Sequence, residues 1–122
     1  MKKRNLTITL QPNWRTALRL SGRRAKLPGY QGEVLNFETP GVFFSRLTER
    51  RWALVYALQG QGELAVRELA RRVGRDEKRV HEDVQALAEL GLIERAQSGG
   101  VVCPFSSVRI DMRLMAPEPV AA

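Results

Sequence analysis

An α+β fold is the class this sequence predicts, and three observations carry it. The segments NLTITLQ (5–11) and VRIDMRL (108–114) alternate apolar and polar residues with period two, as half-buried strands do. Between them, VRELARRVGRDEKRVHEDVQALAELGLIER (66–95) places its apolar residues at helical spacing on both sides of a glycine. Beyond that pair, Leu92-Ile93 and Val101 to Cys103 flank a Ser98-Gly99-Gly100 turn and read as a β-hairpin.

The elements follow in order. In the first strand Leu6, Ile8 and Leu10 share a face, opposite Thr7 and Thr9. Pro12 and Asn13 then open a helix over 12–24, with proline in its favoured early position. On it Trp14, Ala17, Leu18 and Ser21 make one stripe, and Arg15, Arg19 and Arg23 make a separate basic row. KLPGYQG (26–32) is a loop, EVLNFE (33–38) a short strand or the entry to a helix, and TPGVFFSRL (39–47) holds one helical turn. Thr48 caps a clearer helix, Glu49 suits its first turn, and Trp52, Val55, Tyr56 and Leu58 supply its apolar stripe up to Gly60. In the next helix Val66, Leu69, Ala70 and Val73 face inward, and Gly74 permits the left-handed backbone of a sharp helix end. Asp76 caps the helix after it, whose inner residues are Val80, Val84 and Leu87. Pro104 stops the hairpin ladder, and Val108, Ile110, Met112 and Leu114 form one side of the last strand.

Composition narrows the partners. Eight of the 20 basic residues and none of the 13 acidic ones lie in 1–32, so the excess charge of +7 is concentrated there. That asymmetry favours nucleic acid or an acidic protein. No apolar run reaches the roughly 18 residues of a membrane span, and the opening MKKRNLTITLQPNW lacks the apolar block of a signal peptide. A single cysteine excludes a disulfide framework within the chain and suits a reducing cytoplasm.

Charge on the helical pair is graded. With Val80 at zero on a helical wheel, Gln85 lies near ~140°, Lys78 near ~160°, Glu89 near ~180° and Glu82 near ~200°, which makes one exposed stripe. Arg79 and His81 flank it, and Asp83, near ~300°, sits at the edge of the buried face and needs a partner. Base gathers at the turn (Arg71, Arg72, Arg75, Lys78, Arg79) and acid further on (Glu82, Asp83, Glu89, Glu94). A helix-turn-helix docks in this way, with the front of its second helix in the major groove. Lys78 addresses guanine, Gln85 adenine and Glu82 cytosine, while Arg71, Arg72 and Arg75 anchor phosphates. Three helices followed by a glycine-tipped hairpin, its wing formed by Ser98, Gly99 and Gly100, is the order of a winged helix.

The segments TERRWALVYALQGQGELAVRELARRVGRDEKRVHEDVQALAELGLIER and GGVVCPFSSVRIDMRL (within about 46–114) also resemble a family of predicted winged helix-turn-helix transcriptional regulators. That family is loosely similar to the multiple-antibiotic-resistance regulators. Its pattern "RELAR…GRD.KRVH.DV..L.E.GL" closes with a "P…S/D.I.VD..L" strand. The same residues resemble DNA-binding antitoxins encoded beside small toxin genes. The resemblance implies a DNA-binding fold and maps Arg75, Lys78, Arg79 and His81 onto recognition-helix positions.

Other chemistry finds little support. His81 and Cys103 are too few for a zinc site, so neither metal nor cofactor is expected. Gly60-Gln61-Gly62 lacks the Lys-Ser/Thr of a phosphate loop. Glu82 and Asp83 point about 100° apart and make no facing acid/base pair, so no enzyme is expected. The chain therefore reads as a basic strand-helix extension for dimerisation or partner binding (1–44), a winged helix-turn-helix DNA-binding domain (45–115) and a disordered tail (116–122). The function expected is a sequence-specific repressor of transcription in the cytoplasm, a homodimer on double-stranded DNA with no membrane partner, whose terminal strands lie near the dimer interface. Arg15, Arg19 and Arg23 would touch DNA or a partner. The alternatives are an interaction module that neutralises a toxin protein and binds DNA only to regulate itself, and an RNA-binding protein that uses the basic N-terminal helix.

Overall fold

The computed structural model describes residues 3–11 and 32–114. Their order is β1 (Arg4–Leu10), β2 (Glu33–Phe37), α1 (Pro40–Arg46), α2 (Glu49–Leu58), α3 (Val66–Val73), α4 (Glu77–Leu90), β3 (Glu94–Arg95), β4 (Val101–Val102) and β5 (Phe105–Asp111). The α+β class is observed. The helix expected over 12–24, with Arg15, Arg19 and Arg23, and the tail expected over 116–122 lie outside the described residues.

The first and last strands share one sheet of order β2-β1-β5, with β1 central and parallel to both neighbours. Alternation in β1 buries Leu6 and Ile8, as the sequence pattern requires. Leu6 stands beside Glu33 and Val108, and Ile8 beside Leu35 and Ile110. EVLNF is thus a strand, and its partner on β1 fixes that. Arg4 crosses the end of the sheet: its Nη2 donates to Glu33 Oε1 at 2.7 Å, its Nη1 to Glu94 Oε1 at 3.1 Å, and its guanidinium lies 5.0 Å from the Phe105 ring centroid. At the other end, Asn36 Oδ1 accepts from Thr9 Oγ1 and from the Gln11 amide, both at 2.9 Å.

TPGVFFSRL forms more than the single turn expected. Thr39 Oγ1 accepts from the Val42 amide at 3.1 Å and Pro40 takes the first helical position, so cap and proline together start α1. Its buried Phe43 packs edge-on against Phe37 at 5.5 Å between centroids, seating α1 on the end of β2.

Thr48 caps α2 as expected, accepting from the Arg51 amide. The stripe is rotated from the one read in the sequence. Leu54, Val55 and Leu58 are buried, Trp52 is partly covered, and Tyr56 is 80% exposed. Leu47, Leu54, Val55 and Leu58 also fit the helical period, and tertiary packing selects them over the set containing Tyr56.

Helices α3 and α4 bury most of the residues expected of them, Val66, Leu69 and Ala70 on one and Val80, Val84 and Leu87 on the other, with Val73 only partly covered. Gly74 adopts φ 67°, ψ 38°, and its left-handed backbone ends α3. Two residues later Asp76 caps α4 by accepting from the Arg79 amide at 3.3 Å. The β3–β4 hairpin is antiparallel. Leu92 and Ile93 precede its ladder as buried core residues instead of starting it. Leu64, between α2 and α3, pairs with Val101 through amide–carbonyl bonds of 2.9 and 2.8 Å, giving the hairpin a third partner.

The last strand begins earlier than its alternation suggested. It starts at Phe105, directly after Pro104, and its ladder ends at Asp111, so Leu114 continues the alternation without a neighbour and is 77% exposed. Leu6, Ile8, Phe37 and Phe105 of the sheet, Leu54, Leu69 and Leu87 of the helices and Val101 of the hairpin belong to one apolar cluster.

Candidate nucleic-acid interface

Gly74 and Asp76 set the site by fixing where α4 begins. From that start, Lys78, Glu82, Gln85 and Glu89 follow at spacings of four, three and four, and all four side chains are exposed. Lys78 and Arg79 have no side-chain ion pair or hydrogen bond among the described residues, and both sit in the first turn of α4. His81 lies on the flank, its Nε2 3.7 Å from Glu77 Oε1.

Arg71, Arg72, Arg75 and Gln85 are already engaged within the molecule. Arg71 and Arg72, read as phosphate anchors, both hold Glu68: Arg71 Nη2 at 2.5 Å and Arg72 Nε at 3.0 Å from Oε1. Hydrogen bonds from Arg71 and then Arg72 bring the Glu68 carboxyl down to about 2. These pairs are open to solvent, where an ion pair contributes little and exchanges readily for a phosphate. Gln85 donates from Nε2 to Glu89 Oε1 at 3.1 Å and accepts from Arg95 Nη2 at 3.0 Å. Arg95 belongs to β3, so this contact ties the base of the hairpin to the exposed stripe of α4.

Arg75 departs furthest from its expected role. Its Nη2 donates to Asp83 Oδ2 at 2.7 Å, and only 18% of its side chain is exposed. Asp83 Oδ1 accepts from Arg51 Nε at 3.1 Å, while Arg51 Nη1 donates to the Arg46 carbonyl at 2.7 Å. Burial raises the Asp83 pKa, but the hydrogen bonds from Arg75 and Arg51 outweigh it and hold the carboxyl below its ordinary value. The partner that Asp83 requires is therefore a pair of arginines. Arg75 ties the α3–α4 turn to Asp83 of α4, which in turn holds Arg51 of α2, and is a positioning residue. Beside this node lies a shallow cleft of about 190 Å³ whose lining includes Arg50, Arg51, Arg75, Arg79 and Glu82. Nη1 of Arg75 is buried and has no hydrogen-bond partner among the described residues.

At the hairpin turn, the Ser98 hydroxyl donates to Glu63 Oε1. A Cβ on Gly100 would lie 2.5 Å from that same oxygen, the end of an exposed, flexible side chain that can swing aside. Gly99, at φ 94°, completes the turn, with the Gly99 amide donating to the Ala96 carbonyl at 3.0 Å. Ser98 and Gly99 are exposed and Gly100 is buried.

Three contributors escaped the sequence reading, one of them Arg51, which holds Asp83. Arg50, in the first turn of α2, reaches the cleft beside Arg79. Arg95 meets Gln85 across ten positions. The ERR run at 49–51 and the basic residue entering the hairpin are the signals that would have drawn attention to them. Of the N-terminal basic residues, Arg4 holds Glu33 and Glu94. Cys103 is buried, which pushes its thiol pKa up and leaves it unreactive. No helix among the described residues is long and apolar enough to cross a membrane.

The stretch holding the capped helices, the cleft and the hairpin is also the stretch that a family model recognises. The chain belongs to the HVO_A0114 family, whose model matches residues 46–110, just over half of the sequence. No curated protein matches the chain, and no solved structure does.

Proposed function

We propose that the protein is a winged helix-turn-helix transcriptional regulator, a repressor that reads duplex DNA with α4. The carrying observation is the front of α4, where Lys78 and Arg79 stand exposed, without an ion pair among the described residues, at the start of a polar stripe. Support comes from the order α2, α3, α4, hairpin, and from the Arg95–Gln85 bond that places the hairpin beside that stripe.

In this reading Lys78 meets a guanine edge, Glu82 accepts from cytosine, and Gln85 leaves Glu89 to pair with adenine. Arg79 and Arg50 contact phosphates, joined by Arg71 and Arg72 once DNA displaces Glu68. Acid beside base then has a use: Asp83 faces inward and fixes the turn, while Glu82 on the groove side discriminates between bases. Two copies on a two-fold site complete the reading.

A gel shift on DNA upstream of the protein's own gene, against random DNA, tests it. The Lys78→Ala variant should lose about 1–3 kcal/mol on the preferred site and relax the preference. The Arg79→Ala variant should weaken all sequences alike and lower the salt slope by about one. Equal affinity for the upstream and random DNA at moderate salt would overturn the proposal.

A further inference from the structure

We propose that the outer edge of β5 pairs antiparallel with β5 of a second copy, in a register centred on Ile110, joining two three-stranded sheets into one. β5 lies at the edge of the sheet, and among the described residues no strand pairs with its outer side. The strand is seven residues long with no proline inside it, and its outward edge has no strand partner among the described residues, so it can extend the ladder. At its middle, Ile110 stands beside the fully buried Ile8, yet it is 47% exposed itself.

Charge selects a second copy as the occupant and fixes the register. About a two-fold axis through Ile110, Arg109 of each copy lies directly opposite Asp111 of the other, giving two ion pairs on the sheet face shared with Thr7 and Thr9. On the opposite face Ile110 meets Ile110, and Val108 meets Met112. Arg109 and Asp111 are both exposed and have no ion-pair partner among the described residues.

Neighbouring registers fail. Centring on Arg109 or on Asp111 sets like charges against each other, and a slip of one residue puts Ile110 opposite a charged side chain. Centring on Met112 moves the axis past the end of the ladder with β1, which stops at Asp111. The other edge strand, β2, has no such self-complementarity: about Leu35, Glu33 would face Phe37, and Glu33 already holds Arg4.

This interface deepens the two-copy part of the reading above. Its test uses no DNA, so a negative result here leaves the gel shift to decide DNA binding separately. In sedimentation of the full chain, the wild type should be dimeric at about 100 µM or below. Arg109→Asp and Asp111→Arg should each weaken the dimer about tenfold or more, and R109D/D111R together should restore it. Circular dichroism checks that each variant is folded. As a second arm, Ile110→Cys should form a covalent dimer on mild oxidation, because residues opposite each other on the axis sit at disulfide distance. The wild type, with Cys103 buried, should not. A monomeric wild type, single variants that dimerise like it, a folded double variant that stays dissociated, or no cross-link at position 110 would each overturn the proposal.

Discussion

Asp83 shows what a single residue contributes here. It neutralises two arginines from two other segments, and neither is well exposed to water. Asp83→Asn should therefore cost about 1–3 kcal/mol, since it leaves two guanidinium groups short of a counter-charge. The sign with pH follows from its lowered pKa. A depressed carboxylate contributes stability above its unfolded value of about 3.9 and loses it as pH falls through the folded value. Urea midpoints of wild type and Asp83→Asn should stay apart from pH 8 to about 5 and draw together as the pH falls below the unfolded value of about 3.9; a gap that is the same on both sides of that value would show that charge is not the cause. The helical wheel revealed that Asp83 needed a partner. It could not reveal which one, because Arg51 is 32 positions away and helical periodicity carries no information at that range. For the same reason Arg75 read as a free phosphate anchor, whereas Lys78, whose role depends only on its own helix, was placed correctly on the exposed stripe.

Among the elements, those with strong local signals were readable and those made by contact were not. The α3–Gly74–α4 unit has its apolar stripes, its left-handed glycine and its aspartate cap written into consecutive residues. Nothing lies within 4 Å of a Cβ built on Gly74. Gly74→Ala should then cost only the backbone strain of a left-handed alanine, about 1–2 kcal/mol, and a thermal melt should show a modest fall in midpoint with cooperative unfolding retained. By contrast α1 read as a single helical turn behind Pro40 and Gly41 but runs from Pro40 to Arg46, and β2 is a strand because β1 lies beside it. In α2 two overlapping stripes satisfied the same period, and packing chose the one containing Leu54 over the one containing Tyr56.

On the scale of the whole molecule, alternation identified the terminal strands but could not show that they are parallel neighbours. Pairing is a property of two segments at once, and register is set by which faces are buried. Ile8 joins the sheet to the helical core and is 1% exposed. Ile8→Ala should cost about 2–5 kcal/mol, and chemical denaturation should register the loss in the melting of the helices as well as of the sheet. The placement of β1 also has a consequence for synthesis. β1 occupies the centre of its sheet, and one flank is filled by β5, from much later in the sequence; the Ser106 hydroxyl reaches the Arg4 carbonyl across 102 positions. Emerging from the ribosome, Leu6 and Ile8 must wait uncovered while the local helices form. A polypeptide interrupted before Phe105 would thus present chaperones and proteases with a greasy ribbon paired on one side only, until β5 arrives to close the other.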